Sequence, residues 1–223
     1  MIKKLAKRIA AAIGRPALRV IKHRVDSPPG GIHLVLGDRL PDVAGALSAT
    51  FADVPLVEVV EGDLLKSDCD AIVSPANSFG DMGGGIDKAI DDAFEGELQP
   101  HVQAVIAEQY LGELPVGTAV IIPTSGIAFP FVIVAPTMRT PGSVATSINA
   151  YLAMRAILAN VLRFNESQPH PINSVAIPGL CTGVGGMTAA ESANQMRTAY
   201  DNIILQGWRR VKHPVQAPYA SRS

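Results

Sequence analysis

Asp70-Ala-Ile-Val-Ser-Pro-Ala-Asn-Ser-Phe-Gly-Asp-Met-Gly-Gly-Gly-Ile-Asp-Lys-Ala-Ile90 is the stretch on which the fold turns. Its apolar, β-branched opening, Ala71 to Ser74, reads as a buried strand. The strand passes straight into Asn77, and three consecutive glycines, Gly83, Gly84 and Gly85, then open a helix at Ile86. Glycines in a row are costly in entropy, so they belong where backbone must approach something closely. Exposed N–H groups at a helix start make an anion site. The run is not a Walker loop, because no Gly-Lys-Ser/Thr follows, and it lacks the GxGxxG dinucleotide fingerprint. Taken alone, it is explained equally well as a tight strand-to-helix turn.

Val175-Ala-Ile-Pro-Gly-Leu-Cys-Thr-Gly-Val-Gly-Gly-Met187 repeats the pattern of strand, glycine-rich turn and helix start. Two such loops in one domain wrap a diphosphate from both sides with backbone N–H groups. Each charge-assisted hydrogen bond contributes about 1.5–3 kcal/mol, so no Lys or Arg is needed in the site.

Outward from these loops the chain alternates. Strands are expected at 32–36, 56–60, 71–74, 118–122, 131–135 and 174–177. Helices are expected at 41–51, 85–95, 99–111, 143–163 and 189–205, the first with Pro41 in its opening turn. There is no internal repeat. Short buried strands separated by helices define an α/β fold, a three-layer α-β-α sandwich with a mixed, mainly parallel central sheet. Ligands in such sheets sit outside the carboxyl ends of the strands, which places the site in the loops after Ser74 and Ile177.

The chain has 223 residues, 48% hydrophobic and 17% charged, enough apolar material for a substantial core. Its longest apolar run, 127–136, carries two prolines and is too short to span a bilayer. Two cysteines, Cys69 and Cys181, build no disulfide framework, which fits a reducing, cytoplasmic setting. There is no CxxC pair or HExxH stretch, so no metal site is expected, and no cofactor. The net charge of −1 hides an asymmetry: residues 1–25 hold eight Lys or Arg and no acid, leaving −9 on the rest. An acidic body binds nucleic acid poorly.

Ile2, Leu5, Ala6, Ile9 and Ile13 follow helical spacing opposite Lys3, Lys4, Lys7 and Arg8. Residues 1–25 therefore read either as a solvated basic helix or as an anchor to nucleic acid or an anionic membrane. Asp26-Ser-Pro-Pro-Gly-Gly31 is a breaker. The expected organisation is a basic arm at 1–30, a domain at 31–210 and a tail at 211–223.

Taken together with both loops, the chain resembles the macro domain, an ADP-ribose-binding module. Gly62-Asp63-Leu64 is similar to the family's Gly-Asp-Ile, and 70–77 to its Asp-Ala-Ile-Val-Asn-Ala-Ala-Asn. Gly83 to Asp87 resembles its glycine stretch ending in Val-Asp. Pro178-Gly-Leu-Cys-Thr-Gly183 resembles its Pro-Ala-Ile-Ser-Thr-Gly. Order and spacing agree over about 55–206, and Ser-Pro-Ala-Asn-Ser-Phe-Gly is also similar to a bacterial, phage-tail-like branch.

The resemblance implies ADP-ribose or an ADP-ribosylated protein as partner. It places Asp63 at the adenine and Asn77 at the distal ribose, with Leu64, Ala76, Gly83, Gly84, Gly85 and Ile86 also among the ligand-binding residues. Leu180, Cys181, Thr182, Gly183, Val184 and Gly185 would hold the phosphates by backbone. In the hydrolytic branch an Asp ten residues after the Asn activates water or orients the ribose, and Asp87 stands ten after Asn77. Asp87 and Asn77 are thus the catalytic candidates, for hydrolysis of mono-ADP-ribosyl or O-acetyl-ADP-ribose esters. A carboxylate beside a diphosphate has a raised pKa, which suits a base; dipole-favoured capping also explains an Asp there. A non-catalytic reader and a structural or phage-assembly module with a vestigial pocket remain open.

Some positions depart from the pattern. Ser74 replaces the motif's first Asn. Asp81-Met82 stand where the hydrolytic branch has Leu and Gly. Gly185 replaces an aromatic that covers the distal ribose, with Phe79 or Met187 as substitutes. Cys181 stands near a helix start, a setting that can lower a thiol pKa, but the family has Ser there and uses its backbone, which favours a backbone role over a nucleophile. Arg139 is a candidate partner of ligand or of a carboxylate such as Asp87; Tyr200 and Trp208 are candidates to stack on adenine, although aromatics so late in the chain are more often core residues.

Overall fold

Apolar strands without polar alternation need cover on both faces. The computed structural model describes Arg19–Ile21 as backbone, residues 31–124 and residues 128–221, and it supplies that cover. Strands β1 (Arg19–Ile21), β2 (His33–Asp38), β3 (Val57–Glu61), β4 (Ala71–Ser74), β5 (Val120–Pro123), β6 (Phe131–Val134) and β7 (Ser174–Pro178) form one sheet. Its order is β1-β3-β2-β7-β4-β6-β5. The five inner strands run parallel, while β1 and β5 pair antiparallel at the edges. Helices α1 (Pro41–Thr50), α2 (Gly85–Ala93), α3 (Leu98–Tyr110), α4 (Asn149–Ser167) and α5 (Ala189–Ile203) cover it.

The two-residue strand period divides the core. Leu34, Leu36, Val73, Ile133, Val175 and Ile177 pack with residues of α1, α4 and α5. Val35, Ile72, Val132, Val134 and Ala176 pack with residues of α2 and α3. Side chains that alternate between two apolar layers explain why the strands read as unbroken apolar runs. The result is the three-layer sandwich with a mixed, mainly parallel sheet.

The long helix expected from Ser143 begins instead at Asn149. The Val144 amide donates to the Gly185 carbonyl at 2.8 Å, and the Ser147 amide and hydroxyl both donate to the Val144 carbonyl. These bonds hold 143–148 as a turn against the second glycine loop. The edge strand β1, inside the stretch read as a basic arm, was not anticipated. Its ladder pairs Arg19 with Glu61 and Ile21 with Val59. The amphipathic pattern at 1–13 lies outside the described residues, as does the breaker up to Gly30. At the other end, the Tyr219 ring sits edge-on to Tyr151, with centroids 5.4 Å apart. Among the described residues, no helix is long and apolar enough to cross a membrane.

Leu36 is wholly buried at the centre of β2. Leu36→Ala should destabilise the domain by about 2–5 kcal/mol in urea unfolding, with the slope against urea unchanged.

Candidate ligand-binding site

Parallel pairing of β4 with β7, Ala71 against Val175 and Ile72 against Ala176, ends both strands on the same side of the sheet. Both glycine loops therefore line one cleft of about 530 Å³. Of the residues the sequence singled out, Asp63, Leu64, Ala76, Asn77, Gly84, Gly85, Ile86, Asp87, Cys181, Thr182, Gly183, Val184 and Gly185 line it. Gly83 and Leu180 do not. Gly83 donates its amide to Asp81 Oδ1 at 3.0 Å, and the Leu180 side chain is wholly buried in the core.

The second loop is held by its own backbone. Gly186 donates to Gly183 O and Met187 to Cys181 O, both at 3.0 Å, while Ser192 Oγ donates to Leu180 O at 2.6 Å. The amides of Thr182, Gly183, Val184 and Gly185 meet no acceptor among the described residues. The same holds for Gly84, Gly85, Ile86 and Asp87 at the start of α2. Both groups carry the partial positive charge of unpaired helix-start and loop N–H groups.

Two glycines are sterically required here. A Cβ on Gly185 would lie 2.5 Å from Cys181 O and 2.9 Å from Val144 Cγ2. An aromatic cover at that position is therefore excluded by the path of the loop itself. A Cβ on Gly179 would lie 2.5 Å from Val43 Cγ1 and 2.9 Å from Asp38 Oδ2. The proposed substitutes do not supply the cover either. Met187 is buried in the core, and Phe79 packs outside the cleft under the Arg139 guanidinium, 5.3 Å from the ring centre.

Asp87 stands in the first turn of α2, half-buried, and accepts from Ser74 Oγ at 2.7 Å. Ser74 thus fills the departed motif position with a partner for this carboxylate. Burial pushes the Asp87 pKa up to about 6, the Ser74 hydroxyl opposes the rise, and the Asp81 charge adds to it. Asn77 is buried; its Oδ1 accepts from Phe79 N at 3.0 Å and its Nδ2 donates to Asp81 O at 3.2 Å. The Asn77 amide thus holds its own turn as well as facing the cleft.

Asp63 follows β3 and accepts from Leu65 N at 3.2 Å. Its other oxygen pairs with Arg39 at 2.9 Å. Arg39 lines the cleft, with Gly37, Asp38 and Leu40 from the β2–α1 turn and Thr137, Met138 and Pro141 after β6. The sequence reading passed over all of these. Position at a strand's carboxyl end is the signal that would have found them. Among the described residues, no group of three His, Cys, Asp or Glu side chains converges on a metal position.

Several expectations are corrected. Arg139 does not reach Asp87; its guanidinium binds Glu113 at 2.7 and 2.9 Å. Tyr200 is a core residue packed edge-on to Phe51, and Trp208 is half-exposed under Arg209; neither lines the cleft. The Cys181 thiol is buried and its pKa is pushed up to about 12, the reverse of nucleophile activation. Its backbone adopts φ +66°, where a side chain is strained.

Strand-end glycine loops with unpaired amides around a nucleotide-sized cleft define an anion-binding α/β domain. Within that class, the chain belongs to the macro domain family: the family model described as Macro domain matches residues 73–196. The chain is 39% identical over 160 residues to an uncharacterized protein of Aeropyrum pernix, covering 70% of this chain and 75% of that one. It is 34% identical over 152 residues to a protein of Escherichia fergusonii named O-acetyl-ADP-ribose deacetylase, covering 66% and 80%. The solved structure of a mutant of the Oceanobacillus iheyensis macrodomain with ADPR superposes with a TM-score of 0.52 at 25% identity, covering 65% of this chain and 74% of that one.

Two outcomes follow from the titrating groups. An acid whose folded pKa lies above the usual 3.8 stabilises the fold fully below that value and loses the contribution as pH rises through about 6. Asp87→Asn should therefore be more stable than wild type near neutrality, by about 2–3 kcal/mol at most, with the gap closing as the pH falls toward about 4, read by urea unfolding across pH. Separately, both cysteines are free and buried. A thiol reagent at about pH 8 should label neither in the native protein and both in urea.

Proposed function

We propose that this macro domain binds ADP-ribose or a close derivative and hydrolyses an ester of it. The observation that carries the reading is the pair of amide-lined loops facing one cleft, with Asp63 at one end and Asp87 at the other. The diphosphate would lie on the amides of 182–185 and the α2 start. This suits a cleft whose charged side chains, among the described residues, are four carboxylates, Asp38, Asp63, Asp81 and Asp87, and the cation Arg39. Asp63 would accept from the adenine amino group, as a carboxylate can, and Asn77 would meet the distal ribose.

In the hydrolytic step, water attacks the acyl carbon of an O-acetyl ester, or the ribose carbon of a mono-ADP-ribosyl ester. Asp87 takes the proton from that water. The new C–O bond replaces the ester C–O bond, and the leaving oxygen is released as a hydroxyl or a carboxylate. A base with a pKa of about 6 is largely ionised at neutral pH yet basic enough to accept the proton. The name of the Escherichia fergusonii relative supports the choice of ester.

A reader without turnover is the second reading. It is favoured by the lack of an aromatic ring among the described residues that line the cleft and by the use of the Asn77 amide within its own turn. Calorimetric titration with ADP-ribose, with AMP and ribose 5-phosphate as controls, tests the pocket: selective uptake of ADP-ribose is expected, and none at millimolar ligand would overturn it. Asp87→Asn then separates the readings. For a hydrolase, turnover of O-acetyl-ADP-ribose should fall by about 10²–10⁴ with affinity kept or raised. The wild-type rate should climb with pH and level off above about 6. A reader shows no turnover to lose.

A further inference from the structure

We infer that Arg39 is the platform on which the nucleobase of the ligand stacks, and so the residue that sets preference for the base-bearing end. The inference rests on the ADP-ribose reading of the cleft and deepens it at one residue. No Phe, Tyr, Trp or His is among the described residues that line the cleft. Tyr200, Trp208 and Phe79 all pack elsewhere. Among the described residues that line the cleft, Arg39 therefore brings the one planar cation, and it sits beside Asp63.

The local structure suits that role. Gly37, the next-to-last residue of β2, lies so close to β3 that a Cβ would sit 2.7 Å from Val60 O, and Arg39 follows the strand's end into the cleft lining. Asp38 Oδ1 takes the Leu40 amide at 3.0 Å and Asp38 O takes the Gly62 amide at 2.9 Å, which ties this turn to the one carrying Asp63. The Arg39–Asp63 pair, at 2.9 Å, then places the guanidinium beside the carboxylate that would bind the base edge. The Arg39 side chain is 66% exposed, so one face remains open for a ring. Leu40 and Leu65 give apolar wall at the same end. A guanidinium stacks on a π face and is weakly hydrated, whereas an ammonium offers no plane.

The alternative role for a lone cation is a phosphate contact, and charge without a plane distinguishes the two. Titrations of Arg39→Ala, Arg39→Lys and Arg39→Phe with ADP-ribose and AMP provide the test. Stacking predicts that the Ala and Lys variants lose affinity for both ligands by about tenfold and that Phe recovers most of it. In the wild type, ADP-ribose should move the Arg39 Nε–H proton resonance through the ring current of the base, while saturating ribose 5-phosphate should not. If Lys retains the affinity and Phe loses as much as Ala, Arg39 is a phosphate contact and the inference is overturned. A gain in affinity for Ala would show that Arg39 only competes for Asp63, and it too would overturn the inference. Equal affinity in all variants, with wild-type binding intact, removes the role of Arg39 and leaves the site reading standing. If the wild type takes up no ADP-ribose, both fall together.

Discussion

Parallel pairing of β4 with β7 sets the separation of the two glycine turns, and every property of the cleft follows from that separation. Each strand ends in a loop that opens a helix, α2 from one and α5 from the other. Because the strands are neighbours, their unpaired amides face a shared space. If either strand slipped in register, the apolar residues that alternate between the two helical layers would change faces. Burial of Ile72, Val73, Val175 and Ala176 therefore holds the functional geometry as well as the core.

The same arrangement explains how an acidic body can meet an anionic partner. Attraction comes from backbone dipoles, whose positions are determined by turns that leave no room for side chains. Gly179 and Gly185 are pressed against neighbouring atoms, so the loop is a tight cradle rather than a flexible flap. Two of the cleft's carboxylates stand in different electrostatic settings. Asp63 is paired by Arg39, and Asp87 is only partly compensated by Ser74 within a buried setting. Incomplete compensation leaves its proton affinity close to neutral, where a proton acceptor is useful.

Local pattern was enough for most elements. The strand at 71–74 and the strands near 32–36, 56–60 and 131–135 are legible because both faces are apolar, and the first helix because Pro41 marks its opening turn. Both glycine loops were legible because three glycines, or four in eight residues, have no helical or strand use. What failed was reading that depended on a distant partner. The helix expected from Ser143 starts later because Val144 is bonded to Gly185, 41 positions along the chain. Cys181 looked activated by a helix start, but burial outweighs that dipole. Arg139 looked like a partner for Asp87, but Glu113 holds it.

By itself, then, the sequence determined the alternation of strands and helices, the two amide-bearing turns and the candidate residues Asp63, Asn77 and Asp87. Each of these is written in contiguous residues, where period and turn chemistry act over a few bonds. Only the tertiary structure decided which side chains share the cleft. Arg39, Thr137, Met138 and Pro141 join it from turns that carry no motif, and Tyr200 and Trp208 are excluded from it. The physical reason is that strand order is settled by burial of whole faces, and it brings β2 between β3 and β7, a neighbourhood that no local pattern along the chain records.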